Sequence, residues 1–163
     1  MCLWVYRYIK LALRTFNGTK VSTERYGKDS WAIVTGASGG LGRAAAHHLA
    51  SKGFNIIMVA NEGLKMTAVE QEITKKYPKV KVEKHILDFG RNYQIKDFED
   101  LYNKIKHHDI SILVNNVGFI DGNIFTEISE NSVHTMMAVN CYSIALLSKL
   151  VLTSFKKRWL AKK

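Results

Sequence analysis

From Trp31 to Phe155 short apolar runs alternate with longer stretches whose apolar residues recur at helical spacing, and this rhythm constrains the fold more than any other feature of the chain. Strands are expected at Trp31–Thr35, Phe54–Ala60, Val80–Leu87 and Ile110–Val114. Helices are expected at Leu41–Ser51, with Leu41, Ala45 and Leu49 on one side, at Leu64–Tyr77 before Pro78, and at Asp97–Lys106. A long helix is expected over about Asn131–Phe155, with Val133, Met136, Met137, Val139, Ile144, Leu147, Val151 and Phe155 apolar. The second strand, FNIIMVA, is continuously apolar, as a strand covered on both faces must be. Repeated β-α units of this kind imply an α/β, doubly wound parallel sheet with right-handed crossovers and helices on both faces. The 163 residues suffice for one such domain, expected over residues 31–163 after a separate segment, residues 1–30.

Between the first strand and the first helix stands Thr35-Gly36-Ala37-Ser38-Gly39-Gly40-Leu41-Gly42. A glycine-rich strand-to-helix turn offers free backbone N–H groups and a helix N-terminus to a pyrophosphate. Gly36 suits the tight turn, Gly40 the close approach of backbone to ligand, and Gly42 the packing of helix on strand. The candidate cofactor contacts in this turn are Gly36, Ser38, Gly39, Gly40, Leu41 and Gly42.

The spacing Gly36-x-x-x-Gly40-x-Gly42 resembles the fingerprint of the short-chain dehydrogenase/reductase family, and three later segments agree with it in order. Asp88, after the third strand, looks like the aspartate that meets the adenine side of the cofactor. Asn115-Asn116-Val117-Gly118, after the fourth, resembles the family's Asn-Asn-Ala-Gly motif, which makes Asn115, Val117 and Gly118 candidate cofactor neighbours. Asn140, inside the long helix, is similar to the asparagine of the catalytic tetrad and is the candidate catalytic residue. The valine of the motif, with the apolar and basic segment before the domain, resembles the branch of 17-beta-hydroxysteroid dehydrogenases and very-long-chain 3-oxoacyl-CoA reductases. The resemblance implies a Rossmann-like fold, represented here by about four strands and the long helix, and an NAD(P)-dependent keto/hydroxy interconversion on a steroid or long-chain acyl substrate. Each residue also has a structural reading: Asp88 as a cap, Asn115 as a turn amide, Asn140 as a satisfied amide on a helix face.

In the family an acid at the end of the second strand binds the ribose of NAD, and a cation nearby binds the phosphate of NADP. Here that place is held by Ala60 and Asn61, so the expectation is NADP, with Asn61 as a hydrogen-bond donor and NAD as the other possibility. The resemblance also calls for a serine and a Tyr-x-x-x-Lys pair beyond the long helix. The Tyr-x-x-x-Lys spacings present, Tyr6/Lys10, Tyr77/Lys81 and Tyr102/Lys106, all precede that helix and are expected to be coincidences. The chain is therefore expected to carry cofactor binding with negligible turnover of its own. A non-catalytic nucleotide-binding or dimerisation partner, and a membrane-surface protein with a relic glycine loop, are the alternatives.

The net charge of +10 belongs to the ends: residues 1–28 carry +5, residues 149–163 carry +6, and the body between is at −1. A nucleic-acid groove on the fold is therefore not expected. Met1–Phe16 places Arg7, Lys10 and Arg14 among Leu3, Trp4, Tyr6, Ile9, Leu13 and Phe16. It is too short and too charged to span a bilayer, and fits either a helix lying in a headgroup layer or one packed on the protein. With the resemblance, the expected location is the cytosolic face of the endoplasmic reticulum membrane, or otherwise the cytoplasm. Two cysteines, Cys2 and Cys141, make no disulfide framework. His47/His48 and His107/His108 are neighbours that point apart on a helix, so no metal site is expected.

Overall fold

The computed structural model describes residues 21–161, so the expectations for Met1–Phe16, and with them Tyr6/Lys10, lie outside the described residues. Four strands, β1 (Trp31–Thr35), β2 (Asn55–Ala60), β3 (Val82–Ile86) and β4 (Ile110–Val114), form one parallel sheet in the order β3-β2-β1-β4. The helices are α1 (Thr23–Tyr26), α2 (Gly40–Ser51), α3 (Gly63–Lys76), α4 (Ile95–Ile105), α5 (Glu130–Met137) and α6 (Ser143–Leu160). Between the last two lies a π-helical turn, Ala138–Tyr142. Parallel neighbours need a crossover between them, and α2, α3 and α4 supply it.

Alternation along β1 and β2 splits the core into two layers. Ala32, Val34, Ile56 and Met58 face Ala46 and Leu49 of α2 and Met66, Val69 and Ile73 of α3. Ile33, Ile57 and Val59 face Phe98, Leu101 and Ile105 of α4 and Leu147 and Val151 of α6. Every residue of β2 is buried, as the apolar run from Ile56 to Ala60 requires, whereas the outer strands β3 and β4 are mostly half-buried. The helical stretch Glu130–Leu160 is long and apolar enough to cross a bilayer, but Leu147 and Val151 are fully buried on the sheet, which makes it a layer of this fold.

Several expected boundaries move for local reasons. β2 begins at Asn55, not Phe54, because the Asn55 amide donates to the Asp29 carbonyl and accepts from the Lys81 N–H, pinning the strand's entry. β3 is shorter than Val80–Leu87, since Val80 closes a turn onto the Tyr77 carbonyl. α4 starts at Ile95, where Gln94 and Asp97 form a reciprocal capping box, and α5 starts at Glu130, capped by the Ser129 hydroxyl. Leu41 is 82% exposed and belongs to no core layer; on the long helix Met137 and Ile144 also face outward. The described residues before β1 contain the short α1, which Arg158 of α6 secures by donating to the Tyr26 carbonyl and pairing with Asp109.

Candidate functional site

β1 ends at Thr35 and the chain turns at Gly36 (φ 65°) and Gly40 (φ 52°) into α2. Both conformations are left-handed and favour glycine. Gly42 is required by packing: a Cβ there would stand 2.2 Å from the Gly36 carbonyl oxygen and 2.6 Å from Asn116 Nδ2. Gly39 is different. Its backbone is extended and a Cβ would meet nothing within 4 Å, so the fold itself makes no demand for glycine at this position. It is also the N-cap of α2 and supplies no side-chain acceptor, which leaves the first amides of the helix available to an anion.

The turn is held against the end of β4 by one buried hydroxyl. Thr35 Oγ1 accepts from the N–H of Asn116 (2.9 Å) and of Val117 (3.0 Å), while Asn116 Nδ2 donates to the Thr35 carbonyl (3.0 Å). Thr35 is 1% exposed, so these bonds are shielded from water. Asn115 turns the other way, and its Nδ2 donates to Ser148 Oγ of α6 (3.0 Å). The two amides of the Asn-Asn pair thus lock β4 to β1 on one side and to α6 on the other.

Beyond these strand ends opens a cleft of about 470 Å³. Of the candidate residues, Gly36, Ser38, Asn61, Asp88, Val117 and Gly118 line it, joined by Arg91. Gly39, Gly40, Leu41, Gly42 and Asn115 do not: they shape the turn or anchor it, and Leu41 points to solvent. The cleft lies at the carboxyl ends of the strands where the order reverses between β1 and β4, the switch point at which open α/β sheets bind ligands. Asp88 Oδ1 accepts from the Gly90 N–H (3.0 Å) in an Asx turn, so its capping role is present, and its second oxygen stays 3.8 Å from Arg91 Nε. Ser38 Oγ donates to Glu62 Oε2 (3.3 Å), and Glu62 pairs with Lys65 Nζ at 2.5 Å. The Lys65 hydrogen bond is the main cause that holds the Glu62 carboxyl below its ordinary range, with Ser38 adding to it. Arg43, next to Gly42, is occupied elsewhere: Glu72 takes its guanidinium at 2.7 Å.

Asn140 sits in the π-helical turn and clamps the far wall of the cleft. Its Oδ1 accepts from the Phe119 N–H (3.0 Å) and its Nδ2 donates to the Phe119 carbonyl (2.7 Å). A π turn carries one extra residue per helical turn and often marks a functional position. The Tyr-x-x-x-Lys pairs among the described residues lie away from the cleft. Tyr102 is bonded to Ser154 Oγ (2.8 Å) and Lys106 to Asn103, while Tyr77 packs on the opposite core layer.

A family model described as short chain dehydrogenase matches residues 30–161. The chain belongs to the short-chain dehydrogenase family. Its sequence is 38% identical over 133 residues to a very-long-chain 3-oxoacyl-CoA reductase of Emericella nidulans, a match covering 80% of this chain and 38% of that protein. Among solved structures it is similar to a bulky-bulky ketone specific alcohol dehydrogenase of Comamonas testosteroni, with 26% identity, a TM-score of 0.70, and coverage of 79% of this chain and 50% of the other. A metagenomic short-chain oxidoreductase in complex with NADP is 27% identical with a TM-score of 0.70, covering 78% and 57%. The chain thus spans well under two thirds of these relatives' lengths.

Within this short-chain dehydrogenase, sequence reasoning missed Thr35, Glu62 and Arg91. Thr35 had a usable signal, a polar residue closing an otherwise apolar strand. Glu62 stands two residues beyond the end of β2, in a polar loop where its sequence gives no sign that it meets Ser38.

Proposed function

We propose that these residues form the cofactor-binding half of an NADP-dependent oxidoreductase that interconverts keto and hydroxy groups on a long-chain acyl or steroid-like substrate. The observation that carries the reading is the uncapped glycine turn, open at Gly39, facing a cleft at the switch point of the sheet. The residues fit a dinucleotide: amides of the turn for the pyrophosphate, Asn61 and Asp88 for the adenosine end, Val117 and Gly118 for the wall along which the nicotinamide half runs. When bound, the nicotinamide supplies or accepts the hydride. Asn115 and Asn116 keep the strand ends in register, and Asn140 holds Phe119 so that the wall keeps its shape.

The missing acid at Ala60 and Asn61 and the cation Arg91 at the cleft support NADP over NAD. The Tyr-x-x-x-Lys spacings among the described residues lie away from the cleft, so the proton of the carbonyl chemistry is assigned to none of them. The very-long-chain reductase relative supports a lipid-like substrate, and the basic, apolar N-terminal segment supports work at the cytosolic face of the endoplasmic reticulum. A second reading, a nucleotide-binding chain that acts beside another protein, is favoured by an apolar groove of about 390 Å³ along the β4 edge, lined by Tyr26, Leu49, Ile112, Val114 and Phe155.

Fluorescence titration of the purified chain with NADPH and NADH tests the cofactor assignment. Tighter binding of NADPH is expected, with negligible reduction of a 3-oxoacyl-CoA. A tighter NADH constant would overturn the NADP assignment, and robust ketone reduction by the pure chain would overturn the placing of the proton-transfer groups.

A further inference from the structure

α6 runs from the wall of the cleft, where Asn140 holds Phe119, back to the amino ends of the strands. There Arg158 pairs with Asp109, the residue before β4, and donates to the Tyr26 carbonyl. Val21 and Tyr26 share a groove with Phe155 at that end, so the described chain begins beside the last turns of α6, remote from the cleft. The side of α6 that faces the protein is closed: Leu147 and Val151 are fully buried, and Ser154 is bonded to Tyr102. On the other side Lys149, Leu152, Lys156, Trp159 and Leu160 recur at three- and four-residue spacing, which places them on one face over about three turns. Leu152, Trp159 and Leu160 are each more than half exposed, and the three lysines at 149, 156 and 157 are exposed with them. From Asn131 to Lys163 the sequence has no acidic residue. Glu24, Asp29 and Asp109 lie on the segments beside the helix, and Asp109 is taken by Arg158. Among the described residues Lys149, Lys156 and Lys157 have no carboxylate partner.

We infer that the outward face of α6 between Lys149 and Leu160 is a docking surface for an anionic lipid bilayer, at the end of the molecule remote from the cleft. Charge complementarity names the occupant: unpaired lysines with no acid among them call for a negative surface. Leucines and a tryptophan interleaved with those lysines along a straight face fit an extended interface, in which the apolar groups enter the headgroup layer and the lysine stems reach the phosphates. The inference goes beyond the location proposed above, which is supported by the N-terminal segment alone, and it needs no bound coenzyme. It adds a second contact that starts beside the point where residues 1–20 join the described fold.

The test is flotation of the full chain with vesicles of phosphatidylcholine, and of phosphatidylcholine with about one part in four of phosphatidylserine, at low and at raised salt. The variants are Lys149→Gln, Lys156→Gln and Lys157→Gln combined; Leu152→Ser; Arg7→Gln, Lys10→Gln and Arg14→Gln combined; and, as a control beside the cleft, Lys96→Gln. Thermal melting confirms that each folds. The wild type is expected to float with the anionic vesicles and to be released by salt. A lysine at an anionic surface is worth about a fivefold change, so the α6 triple variant is expected to weaken binding about a hundredfold. Leu152→Ser is expected to weaken it about fivefold, the N-terminal variant to weaken it without abolishing it, and Lys96→Gln to leave it unchanged. An α6 triple variant that floats like the wild type, with binding lost only in the N-terminal variant, overturns the assignment to α6 and leaves the N-terminal location standing. Equal flotation with uncharged vesicles, or none with either kind, overturns it as well. So does a self-association in sedimentation that the α6 variants abolish while flotation stays unchanged, because the face then meets a second copy of the chain.

Discussion

Thr35→Val keeps the shape of the side chain but leaves the N–H groups of Asn116 and Val117 without their shared acceptor. Buried donors left unsatisfied cost about 1 to 3 kcal/mol, so a loss of about 2 kcal/mol in urea unfolding is expected, largely restored in Thr35→Ser. Gly42→Ala is expected to cost about 3 kcal/mol and to abolish coenzyme binding, because its Cβ has no room beside the Gly36 carbonyl. A separate residue, Glu83, links stability to pH. Burial alone would raise its carboxyl, but hydrogen bonds from His108 (2.5 Å) and His85 (2.6 Å) more than offset that and hold it below its ordinary range. A depressed folded value means stability that is fully present above the ordinary glutamate range and is lost as pH falls from there through the depressed value. Glu83→Gln is accordingly expected to destabilise the protein by about 1 to 2 kcal/mol near pH 7, with the difference shrinking as pH falls below the ordinary glutamate range, as read from urea midpoints. At this scale Gly42 was legible, because a fixed spacing of glycines implies a close approach. The division of labour between Asn115 and Asn116 was not. Successive residues at a strand end point to opposite faces, and no feature of two adjacent asparagines says which of them faces β1.

The π-helical turn was invisible in the sequence, since one extra residue inside a long helix leaves apolar spacing on either side that still reads as helical. The turn re-phases the helix at Asn140, which then reaches Phe119 while Leu147 and Val151 remain on the sheet. Asn140→Ala is therefore expected to loosen the segment after β4 without unfolding the domain. Hydrogen exchange should rise several-fold at residues 117–121 and stay unchanged in β1 and β2; uniform exchange across both would contradict the clamp. Strand identities were legible because β1 is apolar up to Thr35 and β2 after Asn55, whereas the ends of β3 depended on a turn at Tyr77 that composition does not reveal. Pairing of β4 also shifts register beside Trp31, and the Ser111 hydroxyl fills the irregularity by donating to Ser30 Oγ (2.9 Å).

Across the whole molecule, the strand order β3-β2-β1-β4 brings together at one edge the ends of four strands that are far apart in sequence. That convergence gives meaning to the order of motifs along the chain: glycine turn, Asn61, Asp88 and the Val117-Gly118 pair each follow a different strand, and a parallel sheet delivers all of them to the same cleft. The alternation of apolar runs and amphipathic stretches was sufficient to derive this architecture. Glu62 and Arg91 became visible only when the loops were placed, because a charged residue in a polar loop carries no sign of what it faces. The account stands on the claim that the open amides of the turn after β1 receive the phosphates of a nicotinamide nucleotide. Backbone amide chemical shifts, followed by two-dimensional NMR while NADPH is added to the isotope-labelled chain, test it directly. Saturable shifts at Gly36 and at Ser38 to Gly42, joined by Asn61, Asp88 and Gly118, are expected, with Glu83 and His108 unmoved. A folded chain whose turn amides stay still while shifts arise elsewhere, or nowhere, would contradict the account.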